Sequence, residues 1–408
     1  MISFHAALKK VLNETGVMPT TQVQLGNSSG FFLARPLKAS IDMPSFDNSA
    51  VDGYGVRVRD VVAASTKSPV VLKLSGTVRA GELRLRGLAP GSAVKLFTGA
   101  PIPAGVEAVV MREWADESSA VRIMRSAEHG ENIRRRGEEF RKGDEVVPAG
   151  TRITPAVVGL LAAFGIKSCR VYQKPIVRII TVGDELVSQA KARSGSRIFD
   201  SAGPALSSWC RELGLPDIAL RRAGDNQRSL TEAFGKAANQ ADVIITVGGV
   251  SVGDYDLTKS VFKDCGVRQC FWRVAMKPGK PNYFGVLESG RRRKLLVFGL
   301  PGNPVSALVS FYCLVKPALL KMMSGRVPVS PRFRARLTSP LFKKPGRLEF
   351  VRGRAIVKDG EWTVAAVRGQ ESHMLGGLAQ ANCLIHFDAE STHLPRGSQV
   401  VIELFSFS

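Results

Sequence analysis

The chain has 408 residues, 44% of them apolar and 23% charged, which is more than one hydrophobic core ordinarily organises and too apolar for disorder, so two to four packed domains are expected. Lysine and arginine outnumber aspartate and glutamate 57 to 35, a formal charge of +22; this suits an anionic partner and equally suits a solvated surface. Apolar runs at 157–166 and 295–300 fall short of the roughly 20 residues that span a bilayer, the cysteines lack a CxxC pair and the histidines lack HExxH spacing, so a membrane span, a disulfide framework and a zinc site are all disfavoured.

In chain order, Phe4, Leu8, Val11 and Leu12 recur at helical spacing around Lys9 and Lys10, an amphipathic helix without the continuous apolar core of a signal peptide, and a cytoplasmic location is expected. The stretch "PSFDNSAVDGYGV" (44–56) carries Asp47 and Asp52 with little to fill a core and reads as a polar loop. From 71 to 123 short β-like runs alternate with glycine and proline turns, predicting a small β domain. The next segment, "GDEVVPAGTRITPAVVGLLAAFGI", gives a turn-rich strand pair and then a helix with Thr154 as N-cap, Pro155 at its first position and Gly165 at its end.

Between 175 and 321 the pattern becomes strand, glycine loop, helix, repeated. Apolar runs at 177–182, 218–220, 243–247 and 295–300 alternate with helical segments at 205–213, 230–238, 257–265 and 305–320, which predicts a doubly wound, mostly parallel α/β sheet. After 325 the chain is β-rich again (333–337, 347–357, 362–367, 383–387 and 399–405), so a small C-terminal barrel or sandwich is expected. The basic run 291–294 reads as an exposed hairpin tip.

The strand ends carry the chemistry. Gly183-Asp184-Glu185, Gly224-Asp225, "GGVSVGDYDLT" and "PGNPVSAL" follow successive strands, and ligands of open α/β sheets bind outside the carboxyl ends. Glycine admits close backbone approach, so the third segment suits a phosphate, although it lacks the GK[ST] ending of a Walker loop. Glu185, Asp225, Asp254 and Asp256 at one edge would repel by about 4 kcal/mol per pair at 4 Å and an effective dielectric near 20. Mg2+ beside a phosphate ester would offset this; Lys277 and Lys280, or helix capping in the case of Asp254, are the alternatives. "MKPGKPNYFGV" presents two lysines on a proline-stiffened loop, and "RGEEFRKGD" follows Arg134 and Arg135.

These segments, with "FTGAPIPAGVEAVV", "ENIRRRGEEFRKGD" and "LPGNPVSALVSFY", occur in an order that resembles the molybdopterin molybdenumtransferases, the family that includes the C-terminal domain of gephyrin. The resemblance runs from the first helix to the last strand. It implies insertion of molybdate into adenylated molybdopterin with release of AMP, dependent on Mg2+, and a molybdopterin adenylyltransferase as partner. It also implies four parts: a discontinuous linking module (1–44 and 141–174), a β-rich domain (45–140), an α/β molybdopterin-binding domain (175–326) and a C-terminal β-barrel (327–408). Members form homodimers with a composite site, to which the lip of the β domain would contribute Asp52 and Thr98.

By the same resemblance Glu185 and Asp225 organise Mg2+ and the pyrophosphate, while Asp256 and the Gly248-Gly249-Ser251 loop hold the adenylated substrate. Arg134, Glu139, Arg273, Pro301 and Pro304 fall at substrate-binding positions, and Lys277, Ser306, Arg352 and Ser372 resemble the molybdate pocket, with Asp52, Thr98, Glu185, Asp225, Asp256 and Lys277 the catalytic set. Glu139 stands where many members have aspartate and Arg273 where many have lysine, which alters reach and geometry at constant charge. A non-catalytic scaffold is the competing class. Nucleic-acid binding would fit the charge, but no helix-turn-helix, RNP-like aromatic motif or zinc spacing accompanies it.

Overall fold

A computed structural model describes residues 1–82, 87–188, 195–249, 257–288, 294–328 and 330–405. Ser251, Asp254, Asp256 and residues 291–293 of the expected hairpin tip therefore lie outside the described residues. The chain gathers into two compact units, one of Met1–Arg35, Ala149–Val158 and Lys167–Ser408, the other of Pro36–Pro148 and Gly159–Ile166.

In the larger unit the elements that position the site are β1 (Val177–Val182), α1 (Ala202–Glu212), β2 (Ile218–Ala223), α2 (Gln227–Ala238), β3 (Val243–Val247), α3 (Leu257–Asp264), β4 (Arg268–Trp272), β5 (Val274–Lys277), β6 (Tyr283–Glu288), β7 (Lys294–Leu300), α4 (Pro304–Ser324) and β8 (Leu348–Lys358). A six-stranded sheet takes the order β2-β1-β3-β7-β6-β4. Strands β2, β1, β3 and β7 are parallel, with Val177 opposite both Ile218 and Val243. The central strands are mostly apolar because helices cover both faces: every residue of β3 is buried, as are Ile179, Ile180 and Val182 of β1.

Of the antiparallel half of this sheet the sequence announced only the β6–β7 hairpin, through the basic run 291–294, and missed β4. Residues around "MKPGKPNYFGV" read as loop, yet β6 pairs antiparallel with β7 and with β4. Helix α1 begins at Ala202, ahead of the expected 205, because the Asp200 carboxylate accepts from Gly203 N at 2.9 Å and starts the first turn. In α2, Asn226 accepts from Ser229 N at 2.9 Å, and Leu230, Phe234 and Ala237 turn one face into the core. Helix α4 is long and apolar enough to cross a bilayer by length and composition, but 83% of that stretch is buried inside the fold, which makes it a core helix. A left-handed Gly325 (φ 68°) ends it.

β5 leaves the α/β sheet. Met276 and Lys277 pair in parallel with Leu348 and Glu349 of β8, and Ile2–Ser3 pairs with the other end of β5. Strand β8 continues into a closed barrel with Glu361–Ala366, Arg332–Leu337, Gln399–Leu404 and Cys383–Phe387, the last pairing back on β8. This is the expected C-terminal barrel.

The smaller unit is built on a six-stranded sheet in which Gly53–Val56 lies between Ala108–Met111 and Ser92–Leu96. The 44–56 stretch is thus only half a polar loop, since all four residues from Gly53 to Val56 are buried strand. Glycine is required there: a Cβ on Gly53 would sit 2.1 Å from the Val110 carbonyl oxygen. The Tyr54 ring enters the core and its hydroxyl donates to the Glu117 carboxylate.

Candidate active site

Strand order places the site. From β1 the chain winds to β2 on one side, and from β3 to β7 on the other, so a crevice opens at the carboxyl ends of β1 and β3. A cleft of about 760 Å³ lies there, lined among others by Glu185, Asp225, Gly248, Gly249, Pro301 and Asn303.

Backbone geometry shapes this cleft. A Cβ on Gly183 would stand 2.7 Å from both Glu185 carboxylate oxygens, so only glycine lets Glu185 fold back over the end of β1. Asp184 Oδ1 accepts from Asp225 N at 3.1 Å and ties the turns after β1 and β2 together. Gly248 (φ 90°) would bring a Cβ within 2.4 Å of Val182 O, and its N–H donates to Leu300 O at 3.2 Å, so the turn after β3 is clamped between its two neighbours.

The turn after β7 completes the rim. Pro304 opens α4, and Ser306 lies in its first turn, 5% exposed. Asn303 Nδ2 donates to Ser372 Oγ at 2.9 Å and holds that hydroxyl beside the cleft, whose wall also includes His373. Arg352, 1% exposed, donates from Nη2 to the carbonyls of Gly369 (3.0 Å) and Glu371 (3.3 Å), so it braces the segment that carries Ser372. Its Nε has no hydrogen-bond partner among the described residues. Burial pushes its pKa down, while Glu349 and then Glu371 push back.

Lys277 lies elsewhere in this unit. It lines a second cleft of about 330 Å³ with Lys343, Lys344, Arg347 and Glu349. Arg273 adopts a strained φ of 83°, and its guanidinium carbon sits 3.9 Å from the centroid of Trp272, a stacking that the ammonium of lysine would not reproduce.

Asp52, Thr98, Arg134 and Glu139 belong to the smaller unit. Asp52 Oδ1 accepts from both N and Oγ1 of Thr98, each at 2.7 Å, and these bonds, the backbone one first, hold its carboxyl below the usual range. Arg134 pairs in a short strand with Asn48, and Glu139 N donates to Met43 O at 3.1 Å. Asp47 accepts from Arg136 N and from Arg135 Nη1, both at 2.8 Å.

Sequence reasoning passed over Asp200, Asn303 and His373, all of which line the first cleft. Asp200 is 4% exposed and accepts from the Thr181 hydroxyl at 2.9 Å. Its signal was the acid-serine pair ahead of a helix; nothing near Asn303 pointed to Ser372.

Three family models match the chain: "MoeA N-terminal region (domain I and II)" over residues 2–165, "Probable molybdopterin binding domain" over 178–321 and "MoeA C-terminal region (domain IV)" over 334–405. The molybdopterin molybdenumtransferase of Haemophilus influenzae is 36% identical, the match covering 100% of this chain and 99% of that protein. Molybdopterin molybdenumtransferase 2 of Mycobacterium tuberculosis is 36% identical over 94% of each. The crystal structure of the molybdopterin biosynthesis moea protein from Pyrococcus horikosii superposes with a TM-score of 0.82 at 30% identity, covering 100% of both chains. With its whole length matched in sequence and in fold, the chain belongs to the molybdopterin molybdenumtransferases, transferases of molybdenum cofactor biosynthesis.

Proposed function

We propose that the chain inserts molybdate into adenylated molybdopterin and releases AMP, with Mg2+ required and a homodimer as the working form. The observation that carries this reading is the placement of Glu185 and Asp225 with the Gly248-Gly249 turn on one cleft at the switch point of the sheet. Two carboxylates are too few for a closed protein cage. They suit Mg2+, which keeps waters and commonly takes one or two carboxylates together with substrate phosphates. Among the described residues no group of three or more His, Cys, Asp or Glu competes as a metal site.

Glu185 and Asp225 would hold the ion, which when bound neutralises charge on the departing phosphate. The positive-φ backbone at Gly248 and Gly249 leaves room for the pyrophosphate, and by motif Ser251 and Asp256 hold the nucleotide, joined by Arg273 and, from the neighbouring subunit, by Arg134 and Glu139. Lys277 would draw the oxyanion into the second cleft, and at the rim of the first Ser372, oriented by Asn303, with Ser306 and Arg352 would supply the hydroxyl and guanidinium set that receives it for the reaction. Asp52 and Thr98 serve the neighbouring subunit, and a molybdopterin adenylyltransferase supplies the adenylated substrate. Catalysis is then mainly positioning and electrostatic stabilisation.

The test is AMP release from adenylated molybdopterin with molybdate and Mg2+. Asp225→Asn is expected to lower the rate on the order of 10²-fold to 10³-fold with an unchanged melting curve. A rate near wild type removes Asp225 from this role.

A further inference from the structure

Lys277 is not a free cation. Its Nζ lies 3.0 Å from Glu349 Oε1, with Lys277 48% exposed and Glu349 13%. The pairing is fixed by the fold, because β5 and β8 run parallel with Lys277 opposite Glu349. Around them the 330 Å³ cleft sets Lys277, Lys343, Lys344 and Arg347 against the single carboxylate of Glu349.

Lys343 is held by its own bonds, donating to the carbonyls of Arg347 (3.2 Å) and Ala389 (3.1 Å). Burial pushes its pKa down, and Glu349 is the largest charge pushing it back; the same is true of Arg352. Asp388 and Glu390 add smaller contributions at Lys343 and Glu371 at Arg352, but Glu349 is the one carboxylate in a cleft lining with four cations, which keeps an excess of positive charge.

Resting on the reading that Lys277 takes the oxyanion, we infer that Glu349 is a built-in counter-ion: it holds Lys277 in place while the cleft is empty and yields it when a tetrahedral oxyanion arrives. A carboxylate and an oxyanion compete for the same ammonium hydrogens, and the remaining cations keep the cleft attractive while Glu349 lets go. No covalent bond changes. Glu349 is a positioning residue that sets oxyanion affinity, and the fixed parallel register ensures that this competitor is always present.

Equilibrium dialysis of the full chain against inorganic molybdate tests this, with wild type, Glu349→Gln, Lys277→Ala and the double variant, each checked for an unchanged thermal transition. Glu349→Gln is expected to bind molybdate about fivefold tighter and to lower the KM for molybdate by the same factor at constant kcat, a gain that disappears when Lys277→Ala is added. If Glu349→Gln binds equally or more weakly while Lys277→Ala still weakens the wild type, the counter-ion role is overturned and the oxyanion role of Lys277 stands. If the wild type does not bind molybdate, or Lys277→Ala changes nothing, the oxyanion reading of Lys277 fails and takes this inference with it.

Discussion

The two clefts of the larger unit handle charge in opposite ways. At the carboxyl ends of β1 and β3, Glu185 and Asp225 project among glycines, and the walls are set by backbone: positive-φ turns, close carbonyls and an N–H from one turn to the next strand. Beside β5 and β8, side chains do the shaping, with several cations arranged about one acid. The first cleft needs added positive charge before it admits phosphates. The second is already positive and needs only to release an internal competitor. On the proposed function, a single unit would present one surface for a phosphate ester with Mg2+ and another for a bare oxyanion.

The largest expected effect comes from Gly248→Ala, whose Cβ would meet Val182 O at 2.4 Å in a backbone conformation that alanine rarely adopts. AMP release should fall more than about 100-fold and the melting temperature should drop by several degrees. Molybdate affinity measured by dialysis should stay within about twofold of wild type, since that cleft does not include the β3 turn. A parallel collapse of both would show that the two clefts are one mechanical unit.

Asn303→Ala is expected to act more gently. It removes the 2.9 Å bond to Ser372, a loss of about 1 kcal/mol, which corresponds to a roughly fivefold rise in KM with little change in stability. Steady-state kinetics with molybdate as the varied substrate checks it. An unchanged KM would mean that Arg352 alone fixes the 369–373 segment.

The smallest effect is a control in the other unit. Burial, and then Glu117, push the Tyr54 phenol from 10.0 to about 12. The unfolded chain loses this proton near pH 10 while the folded chain keeps it to about 12, so the contribution is whole below pH 10 and is lost as pH rises towards 12. Tyr54→Phe should remove that part of the alkaline slope in denaturant titrations and leave both clefts as they are. A slope unaltered from wild type would show that Tyr54 does not hold its proton in this way.

Much of this was legible beforehand. The runs at 177–182 and 243–247 are mostly apolar without alternation because both faces of a parallel strand are covered, and the glycines and acids after 182, 223 and 247 announced the cleft. What escaped depends on neighbours distant in sequence. Gly53–Val56 looked polar because a close carbonyl of Val110 forbids side chains where a strand would ordinarily show them. Lys277 read as a loop lysine that could neutralise the strand-end acids because Glu349, its actual partner, meets it only through the parallel register of β5 and β8. Strand β4 was hidden by the proline-rich segment that separates it from β6.

The pairing of Ile2–Ser3 with Val274–Ala275 bears on how the chain assembles as it leaves the ribosome. Ile2–Ser3 have no strand partner until residues 274–275 have been made, whereas Pro36–Pro148 contains nearly all of its own unit. Vectorial synthesis therefore favours an order in which the smaller body closes first, and the larger body is sealed late, when residues 274–275 meet the waiting Ile2–Ser3.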